Sequence, residues 1–303
     1  MFKNILIVDD VKEQAEGMAK WFQKRFGDSY SFDYAYEKEK IELKIDDGFY
    51  SLVILDLRLD GFGFSGIDLA NRVIKNNPLA KIIFISAFSS EFFQETKDLL
   101  LTGRVLDIQE KSAVSTWYPI LGDIIEEYYL NIDDDISEIN KSLLEHYSDI
   151  KNEEDSYQKG IKLERFTTHL FGLMGFQNIL KRVKDKSCNE VDLIIRNDID
   201  DLFISKFGKY ILVECKNYPS DNIGKNELIQ FKSKLDHTNG LASLGLFITT
   251  KAMAKTAYME AIRYSVGDKK IIFIENSHII NLIQSDQKLN EFKKIIDSQV
   301  KDN

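Results

Sequence analysis

The chain of 303 residues is predicted to contain two α/β domains joined by a helical connector. Short apolar runs alternate with amphipathic helical segments through residues 1–122, which predicts a doubly wound, five-stranded parallel sheet. An acidic stretch at residues 123–156 has helical spacing. From residue 157 to 303 a strand pair precedes further helix and strand signals, which predicts a second α/β domain with a mixed sheet.

The first domain, residues 1–122, is predicted to consist of five strand–helix units. Strands are expected where a short apolar run ends in polar residues, and helices where apolar residues recur every three or four positions. The predicted strands are Asn4–Asp10, Tyr30–Tyr36, Ser51–Leu57, Lys81–Ala87 and Val105–Ile108. The predicted helices are Val11–Phe26, a polar stretch after Tyr36, Gly66–Asn76, Phe92–Leu101 and a last helix from Ser112.

The connector, residues 123–156, is predicted to be helical. Its apolar residues recur at three- and four-residue steps, at Ile136, Ile139, Leu143, Tyr147 and Ile150. Two interpretations stay open at this point. The segment is either an acidic, solvated spacer or a helix that pairs with a second copy of itself.

The second domain, residues 157–303, is predicted to contain a helix, a strand pair with a long polar connection, and a further alternation of helices and strands. The predicted helices are Lys159–Met174, Lys225–Asp236, Ala252–Val266 and terminal helices. The predicted strands are Glu190–Arg196, Tyr210–Lys216, Leu244–Thr249 and Ile271–Glu275.

The net charge of −9 is unevenly distributed along the chain. Residues 1–122 hold 15 Lys and Arg against 19 Asp and Glu, residues 123–156 hold 2 against 12, and residues 157–303 hold 23 against 18. The acidity is therefore concentrated in the connector. The second domain is mildly basic, as a domain that binds nucleic acid can be.

The composition also bears on the compartment and on membranes. No run approaches the roughly 18 apolar residues that span a bilayer. The N-terminal run reaches Asp9 and Asp10 too early for a signal peptide. Cys188 and Cys215 have neither disulfide-framework nor zinc-site spacing, and we expect them to be packing residues. These features predict a cytoplasmic protein with no membrane partner.

A first group of polar residues follows the predicted strands of the first domain. Each of the five comes directly after an apolar run: Asp9, Asp10, Asp56, Ser86 and Lys111. The fold brings the carboxyl ends of parallel strands to one edge, so these residues are expected to form one pocket. Three clustered carboxylates favour a Mg²⁺ ion, and one of them can act as a nucleophile towards a phosphoryl group.

In this order, the five residues resemble the receiver domains of two-component response regulators, which have a flavodoxin-like fold. The resemblance implies that Asp56 is the phosphoacceptor and that Asp9, Asp10, Asp56 and the backbone carbonyl of Arg58 hold one Mg²⁺. Ser86 would bind phosphoryl oxygens and Lys111 would pair with their charge. The chain departs from the usual family pattern at Ile108, which replaces an aromatic residue, and at Ser112, which replaces a proline. The segment Leu59–Ser65 also lacks the usual proline and is longer than is typical.

A second group of polar residues lies in the predicted strand pair of the second domain. Glu214 and Lys216 are two apart, so both project from one face of their strand, while Cys215 points into the core. If the strands pair as a hairpin, Asp192 stands beside Glu214. Two carboxylates and the backbone carbonyl of Cys215 would make an oxygen-rich Mg²⁺ site, and Lys216 could activate a water or stabilise charge at phosphorus.

With its flanking segments, this group resembles the Mrr-type restriction endonuclease domain of the PD-(D/E)XK nuclease superfamily, over about residues 159–283. The resemblance implies that Asp192, Glu214 and Lys216 are catalytic, with one or two Mg²⁺ ions. It also implies that Glu164 of the first helix assists them. Gln230, on the helix after the hairpin, is a further polar candidate.

The two resemblances together imply a phosphorylation-regulated, Mg²⁺-dependent endonuclease that hydrolyses DNA. A histidine kinase or phosphotransfer protein would phosphorylate Asp56, and the receiver would control the nuclease through a homodimer. The pairing of these domains suggests a defence effector. Two alternatives stay open: an output domain that binds nucleic acid without cutting it, and a receiver that is a docking module and is never phosphorylated.

Overall fold

The computed structural model describes residues 3–87, 93–131, 136–176, 178–184, 190–217, 225–264 and 269–301. The chain divides into two compact units, Met1–Ser142 and Leu143–Asn303, each with its own five-stranded sheet. The prediction of two α/β folds is confirmed. The domain boundaries predicted after residues 122 and 156 stay a prediction. Cys188 and the helix ends predicted at Phe92 and Val266 lie outside the described residues.

The first unit alternates strands and helices in the predicted order. Its elements are β1 (Asn4–Val8), α1 (Lys12–Phe26), β2 (Ser31–Ala35), α2 (Lys38–Asp47), β3 (Leu52–Asp56), α3 (Gly66–Asn76), β4 (Lys81–Ser86), α4 (Phe93–Leu101), β5 (Val105–Glu110) and α5 (Val114–Asn131), and helix α6 (Ile136–Asn152) follows. The strands are parallel in the order β2-β1-β3-β4-β5. This is the doubly wound, flavodoxin-like arrangement that the sequence predicts.

Both faces of the first sheet are covered by helices. Leu6 of β1 is buried in a cluster with Ile41 of α2, whereas its neighbour Ile5 is buried in a cluster with Phe22 of α1 and Leu121 of α5. Alternate residues of one strand thus enter two different cores. The polar residues that follow the strands are therefore concentrated at the edge of the sheet.

The second unit is built around a mixed sheet. Its elements after α6 are α7 (Ser156–Leu173), β6 (Ile179–Lys184), β7 (Glu190–Arg196), β8 (Tyr210–Lys216), α8 (Lys225–Asp236), β9 (Leu244–Thr249), α9 (Lys255–Tyr264), β10 (Lys270–Ile274), α10 (Asn276–Gln284) and α11 (Lys288–Lys301). The order is β10-β9-β8-β7-β6, with β8, β9 and β10 parallel and β6, β7 and β8 antiparallel. The mixed sheet is confirmed, but strand β6 was not predicted.

Helix α6 forms within the acidic stretch, as the spacing predicts, and contains the division between the units. Three of the predicted stripe residues, Leu143, Tyr147 and Ile150, are buried. In the second unit the ring of Tyr147 lies 5.3 Å from that of Phe166 on α7, and its hydroxyl donates to the side chain of Asn276. Much of the apolar stripe is thus covered within a single chain.

Helix α3 begins where the backbone passes very close to the end of β3. A Cβ atom at Gly66 would lie 2.1 Å from the carbonyl oxygen of Asp56 and 2.8 Å from the Cα of Leu57. The N–H of Gly66 donates to the carbonyl of Leu57, and Ser65 and Asp68 form a capping box at the helix start. This close approach requires glycine at position 66.

Replacing Gly66 by alanine is expected to lower the free energy of unfolding of the first unit by about 3 kcal/mol, because the new methyl group collides with backbone. The two tryptophans, Trp21 and Trp117, both lie in this unit, so urea unfolding followed by tryptophan fluorescence measures it. Gly17→Ala on α1 is the matched control. Its added methyl would lie 4.0 Å from the Tyr118 hydroxyl, and the variant should be as stable as wild type or slightly more so. Equal midpoints for the two variants would contradict the steric argument.

Candidate functional sites

The ends of β1 and β3, which are neighbours in the first sheet, bring three carboxylates together. Asp9, Asp10 and Asp56 each offer an oxygen within 4.8 Å of the others. Asp9 is fully buried and Asp56 is 6% exposed. The outer carboxylate, Asp10, accepts a hydrogen bond from the N–H of Asp60 at 3.1 Å. The strand order thus makes one acidic pocket from residues far apart in sequence.

Lys111, which follows β5, reaches into this pocket. Its Nζ donates to Asp9 Oδ2 at 2.7 Å, to Asp56 Oδ2 at 2.5 Å and to Gln14 Oε1 at 2.8 Å. Its backbone N–H donates to the carbonyl of Ser86, the buried last residue of β4, at 2.8 Å. The five residues predicted from the sequence lie together, and Gln14 of α1 joins them without having been predicted.

The second oxygen of each buried carboxylate is held by backbone. Asp9 Oδ1 accepts the N–H of Val11 at 2.9 Å, and Asp56 Oδ1 accepts the N–H of Arg58 at 3.1 Å. Short loops that follow the strands supply both donors, so the carboxylates are fixed in orientation. The backbone of Arg58 therefore lies against Asp56, and its carbonyl stays a predicted metal ligand.

Burial and charge oppose each other at Asp56. Burial raises its pKa, the hydrogen bond and charge of Lys111 lower it, and the charge of Asp9 raises it again, so that the net shift is upward. Burial alone would lower the pKa of Lys111, but the charges of Asp9 and Asp56 outweigh burial and raise it. The ammonium group of Lys111 contacts two of the three carboxylates in the pocket. An oxygen-rich, negatively charged pocket of this kind fits a Mg²⁺ ion.

The second candidate site lies on the antiparallel pair β7 and β8. Leu193 is paired with Val213 across the two strands, and the next pair in this register is Asp192 with Glu214. Asp192 Oδ2 accepts the N–H of Cys215 at 2.7 Å. The Cys215 thiol is buried, and its Sγ lies 3.7 Å from Thr167 Oγ1 on α7, so the backbone of Cys215 lies at the site while its side chain packs in the core.

Two lysines hold the buried carboxylate of Glu214. Lys216 Nζ lies 2.8 Å from Oε1, and Lys234 Nζ, from helix α8, lies 2.8 Å from Oε2. Lys216 was predicted from the strand pattern, whereas Lys234 was not. Gln230, one turn earlier on the same helix, is exposed. The side chain of helix α8 that reaches Glu214 is therefore that of Lys234.

The pKa of Asp192 in the second site is shifted by burial and by neighbouring charges. Burial raises its pKa to about 6, the charges of Glu214 and Glu164 add to the shift, and the Cys215 N–H and Lys216 oppose it. Glu164 lies on α7, and its charge is the smallest of these effects on the pKa of Asp192. The negative charge on Asp192 is thus only partly compensated by the protein.

The donor set of the second site also fits a divalent cation. Asp192 and Glu214 offer carboxylate oxygens as ligands. A bound cation would add positive charge beside Asp192, whose negative charge the protein only partly balances. In the described part of the chain, three acidic ligand atoms converge only in the pocket of the first unit. A cation at the second site would therefore depend on two carboxylates and on backbone oxygen.

Two family models match separate parts of the chain. Residues 5–100 match the family model of the response regulator receiver domain, and residues 158–283 match that of the Mrr catalytic domain, described as a restriction endonuclease. No match was found among the curated proteins. Among the described residues, no helix is both long and apolar enough to cross a membrane.

Several solved receiver structures are similar to part of the chain. A CheY-like receiver domain protein from Methanospirillum hungatei is 21% identical, covers 43% of this chain and 99% of its own, and gives a TM-score of 0.34. TrrA from Thermotoga maritima, solved in complex with Mg²⁺-BeF, is 27% identical, covers 41% and 99%, and gives 0.32. The receiver domain of a putative LuxO repressor from Vibrio parahaemolyticus is 20% identical, covers 43% and 95%, and gives 0.35.

Replacing Asp192 by asparagine is expected to stabilise the second unit at pH 7 by up to about 3 kcal/mol. The folded-state pKa of about 6 exceeds the ordinary value of 3.8, so the folded protein binds this proton more tightly than the unfolded chain does. The contribution of Asp192 to the stability of the wild type should therefore fall as pH rises from about 4 to about 6, and the variant should lack this loss.

Urea titrations at pH 4 and pH 7, followed by the NMR amide signals of β8, measure the effect of this substitution. Asp200→Asn, at an exposed position of the same unit, is the charge-matched control and should not change the pH dependence. If the difference in stability between the wild type and Asp192→Asn is the same at pH 4 and pH 7, the raised pKa does not belong to Asp192.

Proposed function

We propose, from the premise that the chain joins a response regulator receiver domain to an Mrr-type restriction endonuclease domain, that it is a phosphorylation-regulated, Mg²⁺-dependent DNA endonuclease. The observation that carries the proposal is the presence of two assembled polar sites in one chain. One site consists of Asp9, Asp10, Asp56 and Lys111. The other consists of Asp192, Glu214 and Lys216, with Glu164 nearby.

In the first site Asp56 is the proposed phosphoacceptor. One of its carboxylate oxygens would form a bond to phosphorus while the bond from phosphorus to the donor nitrogen of a histidine kinase or phosphotransfer protein breaks. Asp9, Asp10, Asp56 and the Arg58 carbonyl would hold one Mg²⁺, which supplies positive charge to the transferred group. Lys111 and Ser86 would then bind the phosphoryl oxygens.

In the second site a water molecule is the proposed nucleophile towards a DNA phosphodiester. The bond from water oxygen to phosphorus forms as the bond from phosphorus to the leaving oxygen breaks. Asp192, Glu214 and the Cys215 carbonyl would hold one or two Mg²⁺ ions, which stabilise the charge that develops at phosphorus. Lys216, as an ammonium group, would orient the water and stabilise charge at phosphorus, and Glu164 would assist at the metal. The proton of the water would pass to solvent, and the leaving oxygen would take up a proton from solvent.

The link between the sites is proposed to be an equilibrium between monomer and homodimer. Cutting both strands of DNA takes two active sites, so a monomer would be held inactive until phosphorylation favours the dimer. The control of a harmful activity by a receiver suits a defence effector. The positive balance of residues 157–303 is compatible with a nucleic acid as the partner of the second unit.

Incubation with acetyl phosphate is expected to add one phosphoryl group to the wild type and none to Asp56→Asn, because the amide is not a nucleophile at this pH. Intact-protein mass spectrometry measures the addition. Asp60→Asn, an exposed carboxylate in the loop after β3, is the control and should be phosphorylated like the wild type. Failure of the wild type to react would support a receiver that only docks partners.

Plasmid cleavage in Mg²⁺ is expected to increase at least about tenfold when beryllofluoride, which imitates phosphorylated Asp56, is added to the wild type. Lys216→Ala should cut at least about a hundredfold more slowly, because it removes a group that acts at the reacting phosphorus. Lys209→Ala, at an exposed position just before β8, should retain full cleavage.

The same assay separates the proposal from its alternatives. Equal cleavage with and without beryllofluoride would mean that the receiver does not control the nuclease. A wild type that shifts DNA in a gel but leaves it uncut, as Lys216→Ala does, would mean that the second unit only binds nucleic acid.

A further inference from the structure

Glu214 has no carboxylate oxygen that is free of an ammonium group. Lys216 occupies Oε1 and Lys234 occupies Oε2, each at 2.8 Å, and the Glu214 side chain is only 6% exposed. The strand pattern alone accounts for one lysine at this carboxylate. The second lysine comes from a different element, helix α8, and has no role in the proposed hydrolysis.

The position of Lys234 is set by the packing of α8. Its neighbours Phe231 and Leu235 are buried in the same cluster as Leu212 of β8, which projects from the same strand face as Glu214. The Lys234 side chain is 17% exposed, so most of its stem is covered. The ammonium group is thus directed at Glu214 by the same contacts that hold α8 on the sheet.

The contact between Lys234 and Glu214 changes the charge balance of the second site. Asp192 and Glu214 carry two negative charges, and Lys216 and Lys234 carry two positive charges. With Lys216 alone, the pair of carboxylates would attract a divalent cation strongly. With Lys234 added, the protein itself supplies a cation to Glu214, and only Asp192 and the nearby Glu164 still favour an added cation.

We propose that Lys234 is a built-in counter-ion that competes with the divalent metal for Glu214 and lowers the metal affinity of the DNA-free site. This inference rests on the proposed metal site at Asp192 and Glu214. A phosphodiester brings a negative charge that the displaced ammonium group can pair with, so metal and DNA favour each other's binding. Lys234 is a positioning residue, since it acts on the reaction through Glu214.

The test is Mn²⁺ binding by the full chain without DNA, measured by electron paramagnetic resonance. All variants carry Asp10→Asn and Asp56→Asn, so that the pocket of the first unit does not bind the metal. In this background Lys234→Met is expected to raise Mn²⁺ affinity at least about tenfold, because it removes a charge-assisted hydrogen bond from the ligand. Lys234→Arg, which keeps the charge, should stay within about threefold of the parent.

The control is Lys232→Met on the same helix, where the ammonium group lies 4.0 Å from the ring centre of Tyr264 and not at Glu214. It should leave the affinity unchanged, and circular dichroism verifies that each variant is folded. Unchanged or lower affinity in Lys234→Met, with binding still abolished by Asp192→Asn, would overturn the role of Lys234. If Asp192→Asn does not reduce binding, the metal site itself is wrong and the inference fails with it.

Discussion

Carboxylates that are removed from water need positive charge beside them, because an unpaired buried charge costs several kcal/mol. Both sheets of this chain meet that constraint with lysines. In the first unit Lys111 bridges Asp9 and Asp56. In the second unit Lys216 and Lys234 share Glu214. Each arrangement leaves some negative charge uncompensated, and this residual charge is what makes the sites suitable for a divalent cation.

The two sheets bring distant residues together by different means. In the first, parallel strands in the order β2-β1-β3-β4-β5 place Asp9 next to Asp56, and the ends of β4 and β5 add Ser86 and Lys111. In the second, an antiparallel pair places Asp192 beside Glu214, and a helix packed on the sheet adds Lys234. Residues at the ends of strands or directly after them make the first site, whereas residues within strands and on helices make the second.

The sequence predicted the bounds of the strands better than it predicted which helix residues reach the two sites. The bounds predicted for β7, β8, α8 and β9 coincide with those observed, because apolar alternation and polar flanks mark their ends. Strand β6 was missed because its sequence ILKRVK is half basic, and an edge strand needs less apolar character than a central one. In the first unit Ile108 packs against a buried cluster, so this departure from the family pattern fills core space.

Gln14 and Lys234 were missed for a different reason. Both are polar residues of helices, where the apolar stripe predicts the packing but does not indicate which polar neighbour reaches a site. The only available signal for Lys234 is its place between the buried residues Phe231 and Leu235. Contacts of this kind depend on the distance from helix to sheet, which a single sequence does not contain.

Gly66 has a consequence for any saturation mutagenesis of this chain. Any Cβ atom at this position would collide with the backbone of Asp56, so nearly every replacement should impair the first unit although Gly66 has no side chain to take part in chemistry. In a map of fitness scores, position 66 would appear as sensitive as the acidic residues beside it. Measuring protein abundance alongside activity would distinguish the two causes. A replacement at Gly66 should lower abundance, whereas a replacement of a reactive carboxylate should lower activity alone.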